Sequence, residues 1–349
     1  MYRHSLVFVC LSFCAAPLLA QDAPQPRFEL ETLTLYARYR LVENNAEVVT
    51  ASQLQIKDSL RARVNVDEGG RFSIHVGAFT GSSFTSSWDT TGAGTGDWSP
   101  DAYLKQLYLS AAPARGIEAQ VGGLYFSRGE STEITTYDED GFLMGERIAI
   151  RKPTRLFFDE VSATRAGIGS PTTPGVLRRF DRFAHPDYWQ VQAVKRFGTT
   201  SSAAGAPVSR WSASADVTSA FGARTIRAAV AARLPQGSPI TGVRFEQYRR
   251  IDANPAGGFA VSVDRPVTSR LKLQAGYATI DEFYGGLNAD RIQRGPRVFA
   301  IATVSLPAGL SVQIFGTRAF ETSYAVSNRT RFDAVVSYDV LTAARRRTN

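Results

Sequence analysis

From Gln53 to Asp67 the odd positions are polar, among them Gln53, Gln55, Lys57, Asn65 and Asp67, while Leu54, Ile56, Leu60, Ala62, Val64 and Val66 occupy even ones. A period of two, with charge on one face and aliphatics on the other, is a β-strand dividing water from an apolar phase. The alternation returns in Ile226, Ala228, Val230, Ala232 and Leu234 set against Thr225, Arg227 and Arg233, and again in the runs 271–279 and 332–340. Clusters of Gly, Pro, Asn and Asp punctuate runs that number about sixteen, with twelve or fourteen as the alternatives. Each run is near the ~9–11 residues that cross a bilayer at a tilt. The expected fold is all-β, a transmembrane antiparallel up-and-down β-barrel.

Connection lengths follow the same scheme, because such barrels alternate short turns with longer outer loops. The turns at 67–70, 113–116, 152–153 and 307–309 are short, whereas the connections 81–100, 128–140, 165–185 and 282–294, of opposite parity, are long. Two connections of the long parity, around Phe221 and around 254–257, are short. An even strand number returns the C-terminus to the short-turn end. Tyr39, Phe72, Tyr277, Phe320 and Tyr338 fall near strand ends on outward positions, where aromatic girdles meet the two interfaces.

At the N-terminus Arg3 and His4 precede the apolar run 5–13, and residues 15–20 read Ala-Ala-Pro-Leu-Leu-Ala. Residues 1–20 are therefore expected to be a cleaved secretory signal peptide, too short to span as a helix. A single barrel over 21–341 follows, then a short basic periplasmic tail over 342–349 with Arg345, Arg346 and Arg347. Both cysteines, Cys10 and Cys14, lie inside the signal segment, so the mature chain is expected to carry no disulfide, thiolate metal site or cysteine nucleophile. Acylation at Cys14 is disfavoured by the bulk of Phe13. No later run approaches the ~18 apolar residues of a spanning helix, and the mean hydropathy of -0.15 suits strands with one wet face. The formal charge is +8, but the arginines are scattered along the strands rather than gathered on a helix, which reads against nucleic acid.

A signal peptide, a basic cysteine-free mature chain, about sixteen strands and a terminal strand from Arg331 to Leu341 containing Tyr338 together resemble the bacterial outer-membrane porins. The resemblance is architectural and covers essentially the whole mature chain. It implies an outer-membrane location, contact with outer-membrane lipid and lipopolysaccharide, small polar solutes as cargo, a homotrimer, and no cofactor. In such porins the third outer loop commonly folds into the lumen, where its acids face arginines across a constriction. The third outer loop in this chain, 128–140, carries Glu130, Glu133, Asp138, Glu139 and Asp140. Parity puts Arg38, Arg40, Arg61, Arg63, Arg227 and Arg244 on lumen faces as candidate partners. Opposed charges in a narrow wet passage would set ion preference. The rival reading is wall filling, with these arginines paired to acids such as Glu246 or Asp264. One departure is that Thr342 to Asn349 follow the last strand, whereas these barrels usually end on an aromatic residue.

The function expected is passive diffusion of small hydrophilic or anionic solutes through a charged constriction; the alternative is a non-conducting structural or surface-interaction barrel plugged by its long loops. No metal site is expected, since Asp138-Glu139-Asp140-Gly141 lacks the alternating spacing of a calcium loop. Ser73 and His75 lie two apart on one face of the third strand, a spacing suited to a nucleophile and its base. Their lumen orientation keeps them from a lipid acyl chain and no acid is evident nearby, so no enzyme is expected. Arg178, Arg179 and Arg182, with Asp181 and His185, make the fourth outer loop basic, which reads as a solvated surface.

Overall fold

A computed structural model of the chain describes residues 26–81, 87–99, 101–132, 134–136, 142–151, 157–168, 175–201, 207–220, 222–234, 238–252, 256–281, 292, 294–320 and 328–348. Its strands are β1 (Phe28–Glu43), β2 (Val49–Asn65), β3 (Phe72–Thr80), β4 (Asp89–Gly94), β5 (Ala102–Ala114), β6 (Ile117–Leu124), β7 (Leu143–Arg151), β8 (Glu160–Gly167) and β9 (Tyr188–Ser201). They continue with β10 (Pro207–Ala220), β11 (Ala223–Arg233), β12 (Gly242–Arg250), β13 (Gly257–Pro266), β14 (Leu271–Ile280), β15 (Arg297–Ser305), β16 (Leu310–Ala319) and β17 (Thr330–Asp339). Sixteen of them form a closed antiparallel up-and-down ring, sealed where β1 pairs with β17. The remaining one, β4, pairs with the loop-end half of β2, where β2 outreaches β3.

The alternation resolves in a sense opposite to that of a soluble sheet. Outward positions such as Leu54, Ile74, Val121, Ile148, Val191, Phe245, Leu273 and Val336 leave large apolar side chains exposed. Inward positions such as Gln55, Gln120, Arg147, Gln192, Asp216, Arg227, Glu246 and Asp333 are buried. Apolar outside and polar inside is the arrangement of a barrel that faces lipid and encloses water. Among the described residues no helix is long and apolar enough to cross a membrane. Near the long-loop end Leu124, Phe126, Phe142, Leu143, Met144, Ile168, Val176 and Tyr188 pack into an apolar cluster.

Three segments differ from the expectation. The connection after β7 is not a two-residue turn: β8 begins at Glu160 rather than near residue 154, because Asp159 anchors the turn through its carboxylate to the Arg196 amide at 2.6 Å and to Lys195 at 3.5 Å. The Gly- and Thr-rich second outer loop contains β4, built on backbone bonds that the extra length of β2 offers. Finally, the chain after β17 is not an extended tail but a helix, α1 (Val340–Thr348). Asp339 caps it, accepting from the Thr342 amide at 3.1 Å and the Thr342 hydroxyl at 2.8 Å.

Gly122 of β6 stands opposite Tyr108 of β5 with φ of +131°. A Cβ there would lie 2.3 Å from the Leu107 carbonyl oxygen and 2.8 Å from the Tyr108 Cα, so backbone would have to move. Gly122→Val is expected to destabilise the barrel by about 2 kcal/mol or more, read as a lower urea midpoint in detergent micelles; an unchanged midpoint would refute the pairing of Gly122 with Tyr108.

Candidate functional site

Part of the lumen wall is filled by arginines held against acids. Arg38 of β1 is 5% exposed, donates from Nε to Gln55 Oε1 at 2.9 Å, lies 3.7 Å from Asp333 Oδ2, and is 3.8 Å above the Trp88 ring. Arg40 reaches the other Asp333 oxygen at 3.1 Å and Arg331 reaches Oδ2 at 3.0 Å, so one carboxylate serves three guanidiniums. Arg227 of β11 chelates Asp216 of β10 at 3.0 and 2.9 Å and donates to Thr218 at 2.8 Å, with both charged side chains 2% exposed. Arg63 pairs with Glu29 at 2.5 Å. Arg61 lies 5.1 Å above the Phe79 ring. Pairing of this kind offsets the desolvation that a buried guanidinium would otherwise suffer.

The third outer loop, between β6 and β7, crosses the lumen. Ser127 donates to Gln192 Oε1 at 2.7 Å and its carbonyl accepts from Gln190 at 2.9 Å, both on β9. Farther along, the Glu130 amide donates to Ser214 Oγ of β10 at 2.8 Å. Glu246 of β12, 2% exposed, accepts from the Thr132 amide at 2.8 Å, the Thr135 hydroxyl at 2.5 Å and the Thr132 hydroxyl. Beyond that anchor Ile134 packs among Tyr248, Ala260, Phe299 and Phe315 on the far wall. A segment that leaves β6 and is fastened to β9, β10, β12, β15 and β16 spans the barrel.

Two cavities flank this segment. One, of about 950 Å³, opens toward the short-turn end; the other, of about 400 Å³, lies against residues 128–134. Glu130, Arg244, Gln274 and Ile301 line both, and so mark where the two adjoin. Of the residues expected at a constriction, Glu130 and Arg244 belong to this shared lining. Arg38, Arg40, Arg63 and Arg227 belong instead to wall pairs, and Arg61 to the Phe79 stack. Glu133, Asp138, Glu139 and Asp140 lie outside the described residues. Sequence reasoning missed Glu246 as the anchor of the loop, since an inward acid on a strand carries no mark of which loop it will bind.

The fourth outer loop is not simply solvated. Its 3₁₀ segment Val176–Ala184 inserts Val176 into the apolar cluster, and Arg179 is 2% exposed, donating to the Ile168 carbonyl and lying 4.7 Å above Phe142. Burial, with Arg182 alongside, lowers the Arg179 pKa to about 10, so it stays charged at neutral pH. At the short-turn end Ser73 Oγ lies 3.0 Å from His75 Nε2, and His75 stacks on Tyr108 at 4.6 Å. An acid does approach the ring: Glu31 Oε1 is 3.9 Å from Nδ1, brought there by a bulge between Leu30 and Thr32. That distance exceeds a hydrogen bond, and Ser73 is 6% exposed. Among the described residues no cluster of His, Cys, Asp and Glu could hold a metal ion.

No family model matches the chain, and no curated protein matches it either. Solved structures do. OmpF of Salmonella typhi, in complex with daunomycin, superposes with a TM-score of 0.57 at 10% identity, over 89% of this chain and 97% of that one. A variant of the Rh. blastica porin gives 0.51 at 12% identity, over 88% and 99%. A barrel from work on asymmetric conductivity of engineered proteins gives 0.52 at 12%, over 89% and 100%. At such identity the likeness establishes a shared fold, that of the bacterial porins.

Asp216→Ala leaves Arg227 buried without its carboxylate and is expected to cost about 3–5 kcal/mol. The companion Asp216→Ala with Arg227→Leu is expected to recover most of that loss in the same urea titration. Equal losses in the single and double variants would contradict a pair whose role is wall filling.

Proposed function

We propose that the protein is an outer-membrane channel of the porin type, passing small hydrophilic solutes by passive diffusion with a preference for anions. Residues 1–20 serve as its export signal, 21–341 as the barrel, and the basic residues 342–349 remain on the periplasmic side. Its outer face contacts outer-membrane lipid and lipopolysaccharide, and it assembles as a homotrimer. The observation that carries the reading is that Glu130 and Arg244 line both cavities; we read this shared stretch as a neck, where the loop segment narrows the lumen without filling it.

A carboxylate and a guanidinium lining one wet neck impose a field across the direction of travel. Polar solutes turn their dipoles to follow it, and apolar ones lose water without compensation. Among the described residues nothing at the neck closes around a solute, which favours short residence and diffusive flux. The neck itself is balanced in charge, one acid against one base, and anion preference arises from the basic cavity beside it. Arg38, Arg40, Arg61, Arg63 and Arg227 set the background potential of the wall.

Purified barrel in planar bilayers is expected to give stable conductance steps and an anion-preferring reversal potential under a salt gradient. Glu130→Gln should move that potential further toward anions and Arg244→Gln toward cations. Glu246→Ala, which releases the crossing segment, should give noisier and larger steps. Silence from a demonstrably folded barrel would overturn the channel and favour a plugged structural barrel.

A further inference from the structure

The lumen treats its cations in two different ways. Around the ring several arginines meet acids: Arg38, Arg40 and Arg331 on Asp333, Arg63 on Glu29, Arg151 on Glu118 and Arg227 on Asp216. Four cations nearer the short-turn end do not. Arg196, Arg233, Arg244 and Lys272 occupy inward positions and line the single cavity of about 950 Å³, and none of them has an ion-pair partner among the described residues. The Arg244 Nε is buried without a hydrogen-bond partner. Facing these four cations the cavity has two acids, Glu130 and Asp264.

Like charges gathered round one partly enclosed volume raise its potential, and low-dielectric walls focus the field into it. Elsewhere on the wall a carboxylate meets one guanidinium, as Asp216 does, or is shared among several, as Asp333 is. In this cavity, a space of the size that holds small ligands, two acids face four cations and the balance is positive. We infer that this cavity is an antechamber at the short-turn mouth that binds small multivalent oxyanions, polycarboxylates or phosphates, directly beside the neck residue Arg244. The inference rests on the channel reading and gives it a solute class and a side. A diffusing dianion would be concentrated on the periplasmic side of the neck, and transport of such solutes would saturate while that of neutral solutes would not.

The test uses the refolded full-length mature barrel, with citrate and inorganic phosphate as probes and acetate as the monovalent comparison. Calorimetric titration in micelles should find citrate binding that weakens as salt rises. Arg233→Gln and Lys272→Gln should each raise the half-saturating citrate concentration by about five-fold, as expected for one charge contact in a wet cavity. Arg318→Gln removes a cation that pairs with Glu47 at the opposite mouth and should leave citrate binding unchanged. The stronger of citrate and phosphate identifies which oxyanion class the cavity fits. Citrate affinity no better than that of acetate, or an equal loss in Arg318→Gln, would overturn the antechamber even if the barrel conducts. Absence of conductance from a folded barrel is instead the failure of the channel reading.

Discussion

A peptide group in hydrocarbon has no water to bond, so a barrel that spans it must give every strand of its ring two neighbours. The constraint comes to a point at β1, which pairs with β2 from Phe28 opposite Val64 to Glu43 opposite Val49, and with β17 from Thr34 opposite Asp339 to Glu43 opposite Thr330. First and last strands thus share a seam, and no edge remains in the ring. Closure also defines an inside: once the sheet meets itself, one face of every strand looks into a bounded wet volume, and the period of two becomes a division between lipid and lumen.

An enclosed lumen changes what charges are worth. Side chains that would be freely solvated on an open sheet are partly desolvated inside the ring, and several arginines are met by acids from neighbouring strands. Asp333 illustrates the economy of the arrangement, because three guanidiniums converge on it from β1 and β17. Glu246 serves a different purpose, since its oxygens go to the amide and hydroxyls of the crossing loop rather than to an arginine. One inward acid stabilises the wall and the other holds the crossing loop, although both sit on alternating strands of the same kind.

The two ends of the barrel are also unlike. At the long-loop end the apolar cluster around Leu124, Phe142 and Val176 fixes the third and fourth loops to one side of the lumen. At the short-turn end inward cations line the larger of the two cavities. The barrel interior is thus apolar toward one end and basic toward the other.

Much of this was legible in the alternation itself. The alternating runs 271–279 and 332–340 lie within about two residues of β14 and β17, and Arg38, Arg63, Arg227 and Arg244 face the lumen as parity requires, because side-chain direction in a strand is a local property. The bulge that swings Glu31 toward His75, the pairing of β4 on β2 and the capping of α1 by Asp339 were not legible, since each depends on how neighbouring strands or turns meet. The charge partners were hidden for the same reason. Sequence determined which residues of a strand face inward and which face outward, whereas only the closed ring decided that Asp333 would neutralise three arginines, that Glu246 would hold the loop, and that Arg244 and Glu130 would line the same cavities. Period-two patterning fixes a direction from the backbone alone; partnership across a lumen depends on the register of the ring and the path of a loop across it, and neither is written in any single strand.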